Sequence, residues 1–199
     1  MTELSTLLSQ LHELLGTTGA PVAEHLRPGT SADRVEAVMH GFGLDVDPDI
    51  VTWFSWHDGT DTPAAASPPG SLLASPLNHL LGGLHLPTLD QVATDLAAAR
   101  ELEPFPEQPL ILGPGWFPFL EFTDGWLVCV DTRAAASPAP VYVWDTGAGY
   151  DLTTLQPWFP SVNELAATIV EAYQSGNIDP RELVLDFDRL PASARRLSY

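Results

Sequence analysis

The stretch PLILGPGWFPFLEFTDGWLVCVDT, residues 109–132, limits the fold more than any other part of the chain. It alternates, and it is rich in aromatic and β-branched side chains, which suit a pleated surface better than a helix. Strands are predicted at 109–112, 116–122 and 126–131. Asp124-Gly125 between the last two signals a hairpin, because glycine takes positive φ without steric cost. After the loop AAASPAP, the run VYVWDT at 141–146 reads as a further strand.

Helical spacing brackets these strands on both sides. Leu4, Leu7, Leu8, Leu11, Leu14 and Leu15 predict a helix over 3–15, stopped by Gly16. Thr30-x-x-Asp33 resembles a capping box, and Val35, Val38, Met39 and Phe42 follow it as an apolar stripe ended by Gly41 and Gly43. Asp47-Pro48 opens the next helix, with aspartate as N-cap and proline at the first helical position. Its apolar content is Ile50, Val51, Trp53, Phe54 and Trp56. Residues 61–71 and most of 74–87 read as loop from their Pro, Ser and Gly content. Thr88 caps a helix over 89–101. Ser161-x-x-Glu164 is a full capping box before an amphipathic helix that Gly176 ends. Asp179-Pro180 opens a last helix, to about Leu190. Helices, then strands, then helices is the α+β order: a twisted, mostly antiparallel sheet packed with N-terminal and C-terminal helices.

A chain of 199 residues with 45% hydrophobic content can bury one substantial core. Its net charge is −18, and all its basic residues are arginine. That charge repels phosphate backbones, so no nucleic-acid partner is expected; it attracts basic proteins. Cys129 is the single cysteine, which excludes an internal disulfide. The first residues lack a basic n-region, and no apolar run reaches the ~20 residues of a membrane span. A soluble, cytoplasmic protein without membrane contact is expected.

The segment WFSWHDGT, 53–60, sets a histidine beside an aspartate. Neighbours in sequence diverge by about 100° on a helix, so His57 and Asp58 do not readily form a working dyad. A helix end accounts for them better: His57 in the last turn, where the dipole favours a cation, and Gly59 as a left-handed residue beyond it. Asp45-x-Asp47-x-Asp49 opens like a calcium loop, but the required glycine and glutamate positions hold Ile50 and Trp56. His79 and His85 have no second ligand pair at metal spacing and read as ordinary. Gly113-Pro114-Gly115 reads as a turn, and Cys129 as a buried, inert thiol. The common nucleotide, hydrolase and metalloprotease motifs are absent. No catalytic residue, metal or cofactor is expected.

The stretch LRPGTSADRVEAVMHGFGLDVDPDIVTWFSWHDGT resembles the N-terminal signature of the SUKH superfamily, which includes Smi/Knr-type fungal cell-wall-assembly regulators and many bacterial toxin-immunity proteins. The matching positions are Gly29, Val35, Val38, Gly43, Pro48 and Trp56-His57-Asp58-Gly59. Farther on, Trp116-Phe117-Pro118-Phe119, Gly125, Leu127 to Asp131, Val141 to Asp145 and Ser161-Val162 follow the family's order. The resemblance spans about residues 26–176. The chain departs from it at Met39, where the family has glutamate, and at Val46-Asp47, where it has Leu-Pro. The resemblance implies an α+β domain with a binding role and no catalytic residues. It divides the chain into an N-terminal helical extension (1–25), the SUKH-like domain (26–176) and a C-terminal helix and tail (177–199).

Acidic clusters at 45–49, 58–61, 101–107 and 179–188 then become the features of interest, the first two beside the tryptophan-bearing helix. Aromatic anchors with an acidic rim suit protein recognition. Asp45, Asp47, Asp49, Trp56, Asp58 and Asp61 are the candidate partner-binding residues. The leading expectation is a non-enzymatic immunity protein that neutralises a basic, nuclease-type toxin by occlusion. The alternatives are a regulatory adaptor and a small-molecule sensor or hydrolase with a cleft near His57 or residues 74–87.

Overall fold

A computed structural model describes residues 2–61, 79–102, 112, 115–122, 125–133, 138–144, 155–181 and 187–197. These form an α+β fold of five helices and a five-stranded antiparallel sheet. The helices are α1 (Glu3–Thr18), α2 (Ala32–Gly41), α3 (Pro48–Trp56), α4 (Leu89–Leu102) and α5 (Val162–Gln174). The strands are β1 (His79–Leu81), β2 (Leu84–His85), β3 (Trp116–Phe122), β4 (Leu127–Asp131) and β5 (Val141–Trp144), and they lie side by side in chain order. Short 3₁₀ turns occupy Pro21–Glu24, Phe187–Arg189 and Ala194–Leu197.

Local chemistry explains most of the boundaries. Asp47 caps α3 by accepting from the Asp49 and Ile50 amides at 2.8 and 3.1 Å. Ser161 caps α5 by accepting from the Glu164 amide at 3.1 Å. Helix α1 runs through Gly16 and stops three residues later than expected, where Gly19 at φ 67° closes it. An interior glycine costs only about 1 kcal/mol of helix stability, so Gly16 does not stop the helix. The N-cap of α2 is Ser31, with no side-chain cap bond. The Thr30 amide donates instead to Phe54 O at the end of α3.

Residues 79–85, read from the sequence as loop, are a hairpin. Gly82 and Gly83, both at positive φ, turn β1 into β2. The hairpin adds two strands to the edge of the sheet, with Leu84 opposite Phe122. Of the expected strand at 109–112 only Leu112 is described, and it is not in a strand; its other residues, the loop 61–71 past Asp61, residues 145–146 and the stretch 182–186 lie outside the described residues.

The core is continuous. Leu4, Leu8, Leu11 and Leu15 of α1 are fully buried among α3 and α5. On α5, Leu165, Ile169, Val170 and Tyr173 are buried as their spacing predicts. Trp53 and Phe54 of α3 meet Phe119 and Phe117 of β3 edge to face, at 5.3 and 6.0 Å between centroids. Cys129 is fully buried in β4, and burial pushes its thiol pKa well up. Helix α1 therefore shares its apolar face with the rest of the core, although the resemblance places it outside the common domain. Among the described residues no helix is long and apolar enough to cross a membrane.

Candidate binding surface around helix α3

Helix α3 carries the candidate residues at both of its ends. Nine residues at 1.5 Å each separate the two ends by about 13 Å. The six candidates therefore form two groups. Asp45, Asp47 and Asp49 sit at the N-terminal corner; Trp56, Asp58 and Asp61 sit at the other end.

At the N-terminal corner Asp45 is exposed, and Asp47 and Asp49 are half-buried. Burial, together with the neighbouring Asp47 charge, raises the Asp49 pKa. Among the described residues no arginine pairs with these three aspartates. Five of the described arginines are engaged elsewhere. Arg27 pairs with Asp61 at 3.0 Å, Arg34 with Asp90 at 2.6 Å, and Arg133 with Asp131 at 3.0 Å. Arg100 donates to the Phe42 carbonyl and lies over the Phe42 ring. Arg195 donates to Leu190 O and Asp188 O.

At the C-terminal end the run Trp56-His57-Asp58-Gly59 forms a structural junction. Helix α3 ends at Trp56, and His57 is extended, with φ −147°. Its Nδ1–H donates to Arg27 O at 2.6 Å, since a carbonyl can only accept. Burial is the largest influence on its pKa and lowers it, which works against the helix-end cation expected from the sequence. Asp58 is a correction to the candidate set. It is 5% exposed, and its Oδ1 accepts from the Leu89 amide at 2.7 Å, which anchors the start of α4. A carboxylate held in that way is closed to a partner. Gly59, at φ 71°, lies where a Cβ would stand 2.6 Å from Pro87 O. Gly29 crosses the end of α3 so closely that a Cβ would meet Ser55 O at 1.9 Å. Asp61 is exposed but already paired with Arg27.

Trp56 is half-buried and lines a groove of about 410 Å³ between α1 and α3. Leu8 and Val51 are apolar lining residues; Ser5, Ser9 and Thr52 bring hydroxyls. Those hydroxyls donate to the carbonyls of Thr2, Ser5 and Pro48, each at 2.8 Å. They serve their own helices, and no converging polar set of the kind a small-molecule site needs is built from them. One helical turn past Ser9, His12 Nδ1 stands 3.1 Å from His57 Nε2.

The expected cleft near residues 74–87 falls partly outside the described residues. Its described part holds a second histidine pair. His79 and His85 are opposite each other on β1 and β2, with ring centroids 4.3 Å apart and planes at 89°. Burial pushes both pKa values down to about 4. His79 is 3% exposed, and neither ring nitrogen has a partner among the described residues. Next in register, Glu121 faces His85, and its pKa is raised by burial and by Asp95. No group of three or more His, Cys, Asp or Glu among the described residues could hold a metal ion.

The chemistry of both histidine pairs was missed in the sequence, as were the supporting roles of Arg27 and Gly29. The one available signal was Gly82-Gly83 between apolar pairs, which predicts a hairpin and hence sets His79 opposite His85. No family model matches the chain, and no curated protein matches it.

Proposed function

We propose that the chain is a non-enzymatic, cytoplasmic binding module that engages a basic protein through the aspartate corner at the start of α3. The observation that carries this reading is the arrangement of charge. The arginines named above are tied to internal partners, while Asp45, Asp47 and Asp49 crowd together without a counter-ion among the described residues. Burial is the larger cause of the raised Asp49 pKa, and a cation from outside would relieve the repulsion that Asp47 adds to it. The surplus of negative charge, −18 in all, would speed encounter with a basic surface.

The resemblance to SUKH proteins, which include toxin-immunity proteins as well as regulators, supports an immunity role: masking the cationic surface of a nuclease-type toxin. The test is co-expression with the products of neighbouring genes, scored by complex formation and by protection from toxicity. Asp45→Asn with Asp49→Asn should weaken the complex at least tenfold and flatten its salt dependence. Asp47 is left intact because it caps α3. A complex indifferent to both the double variant and salt would refute the aspartate corner as the contact. Absence of any protected toxin would refute the immunity role.

A further inference from the structure

We propose that His12 and His57 form a binding site for a late first-row divalent cation, Zn²⁺ or Cu²⁺, that ties α1 to the end of α3. His12 Nδ1 and His57 Nε2 are 3.1 Å apart. Two nitrogens bound at about 2.0–2.1 Å to one cation, at angles from square to tetrahedral, stand about 2.9–3.4 Å apart. The pair is already at chelating separation.

The tautomer is also set. His57 spends its Nδ1–H on Arg27 O at 2.6 Å, so Nε2 keeps its lone pair on the side of His12. A metal-bound imidazole usually gives its other N–H to such a carbonyl, which fixes the ring. Trp56 packs edge-on against His57, 4.5 Å between centroids, and restricts the ring further. His12 is exposed on α1 and can adjust. In the metal-free protein His12 Nδ1–H donates to His57 Nε2 and the two rings lie nearly parallel, at 20°, so His12 must move that proton to its own Nε2 and tilt to aim the freed Nδ1 lone pair at a shared point.

Neutral imidazoles suit Zn²⁺ and Cu²⁺; Mg²⁺ and Ca²⁺ prefer oxygen. No third His, Cys, Asp or Glu joins the pair among the described residues, so water fills the remaining positions. The negative chain favours any cation's approach. The site is independent of the aspartate corner, which lies at the far end of α3.

The test is titration of the full chain with Zn²⁺ and with Cu²⁺ in a non-chelating buffer, followed by calorimetry and by thermal unfolding. One ion per chain should bind and raise Tm. His12→Gln, on an exposed helix face, should keep the metal-free Tm and weaken binding at least tenfold. His57→Gln should weaken it similarly, His40→Gln on α2 should not, and Mg²⁺ should leave Tm unchanged. No saturable binding at millimolar metal, or binding that survives His12→Gln, would overturn the site.

Discussion

His12 and His57 meet across two helices, where a carbonyl and a neighbouring imidazole take up the polarity of the rings. His79 and His85 meet across two strands, and both nitrogens of His79 are buried without a partner among the described residues. Each pair brings two imidazoles within 4.3–5.2 Å between ring centroids. Their surroundings divide them. At the α1–α3 junction the rings can use their lone pairs, because solvent reaches His12. In the sheet the rings act as apolar wedges, held neutral chiefly by burial. A histidine pair thus has no fixed meaning: hydrogen-bond supply and burial decide whether it binds, titrates or merely fills space.

Acid should separate the pairs most strongly. His79 and His85 are lowered from 6.5 to about 4, so between those values the unfolded chain binds more protons than the folded one. Their contribution is therefore complete above pH 6.5 and is lost as the pH falls toward 4. The expected loss is on the order of 2 kcal/mol per histidine, discounted for partial solvent screening. Asp95 and Glu121, whose pKa values are raised, work in the opposite sense, since acid relieves their buried charge. Urea unfolding at pH 7 and pH 4.5 should therefore be run on wild type beside His79→Leu with His85→Leu, in which this part of the slope disappears. An identical slope in both proteins would remove the wedge reading.

Gly29→Ala should act on the junction alone. Its Cβ would enter Ser55 O, so residues 27–30 must lift from the end of α3. The bonds from Thr30 N to Phe54 O and from His57 to Arg27 O go with them. The expected cost is about 3 kcal/mol, as for other overpacked sites. Histidine NMR signals should move for His12 and His57 and stay put for His79 and His85. Movement of all four would mean that the two regions are coupled.

The smallest effects sharpen the contrast within the junction itself. His57→Ala should cost about 1.5 kcal/mol, through the lost bond to Arg27 O and the packing on Trp56. His12→Ala should stay within about 0.5 kcal/mol, as a surface change does. Equal costs in chemical denaturation would show that the bond between the imidazoles dominates over the anchoring carbonyl.

Much of this architecture is legible in the residues themselves. The leucine stripe of α1, the Asp47 and Ser161 caps and the alternating run through β3 and β4 each rest on neighbours a few positions apart. The β1–β2 hairpin was less visible, because an apolar run broken by Gly-Gly and flanked by loop-like residues supports either reading. The candidate surface was legible only as a list. Asp45, Asp49 and Asp58 look alike in sequence, yet Asp58 is sealed beneath α4.

By itself the sequence determined the α+β class, the starts of α1, α3, α4 and α5 and the strong negative charge, because periodicity, capping and composition are short-range properties; the Thr30 cap and the helix expected from Asp179 are not seen among the described residues. Tertiary structure alone decided which aspartate is free, which histidines meet and which imidazole keeps its lone pair. Those outcomes depend on contacts between residues 30, 31 and 45 positions apart, where burial and hydrogen-bond supply are set by packing.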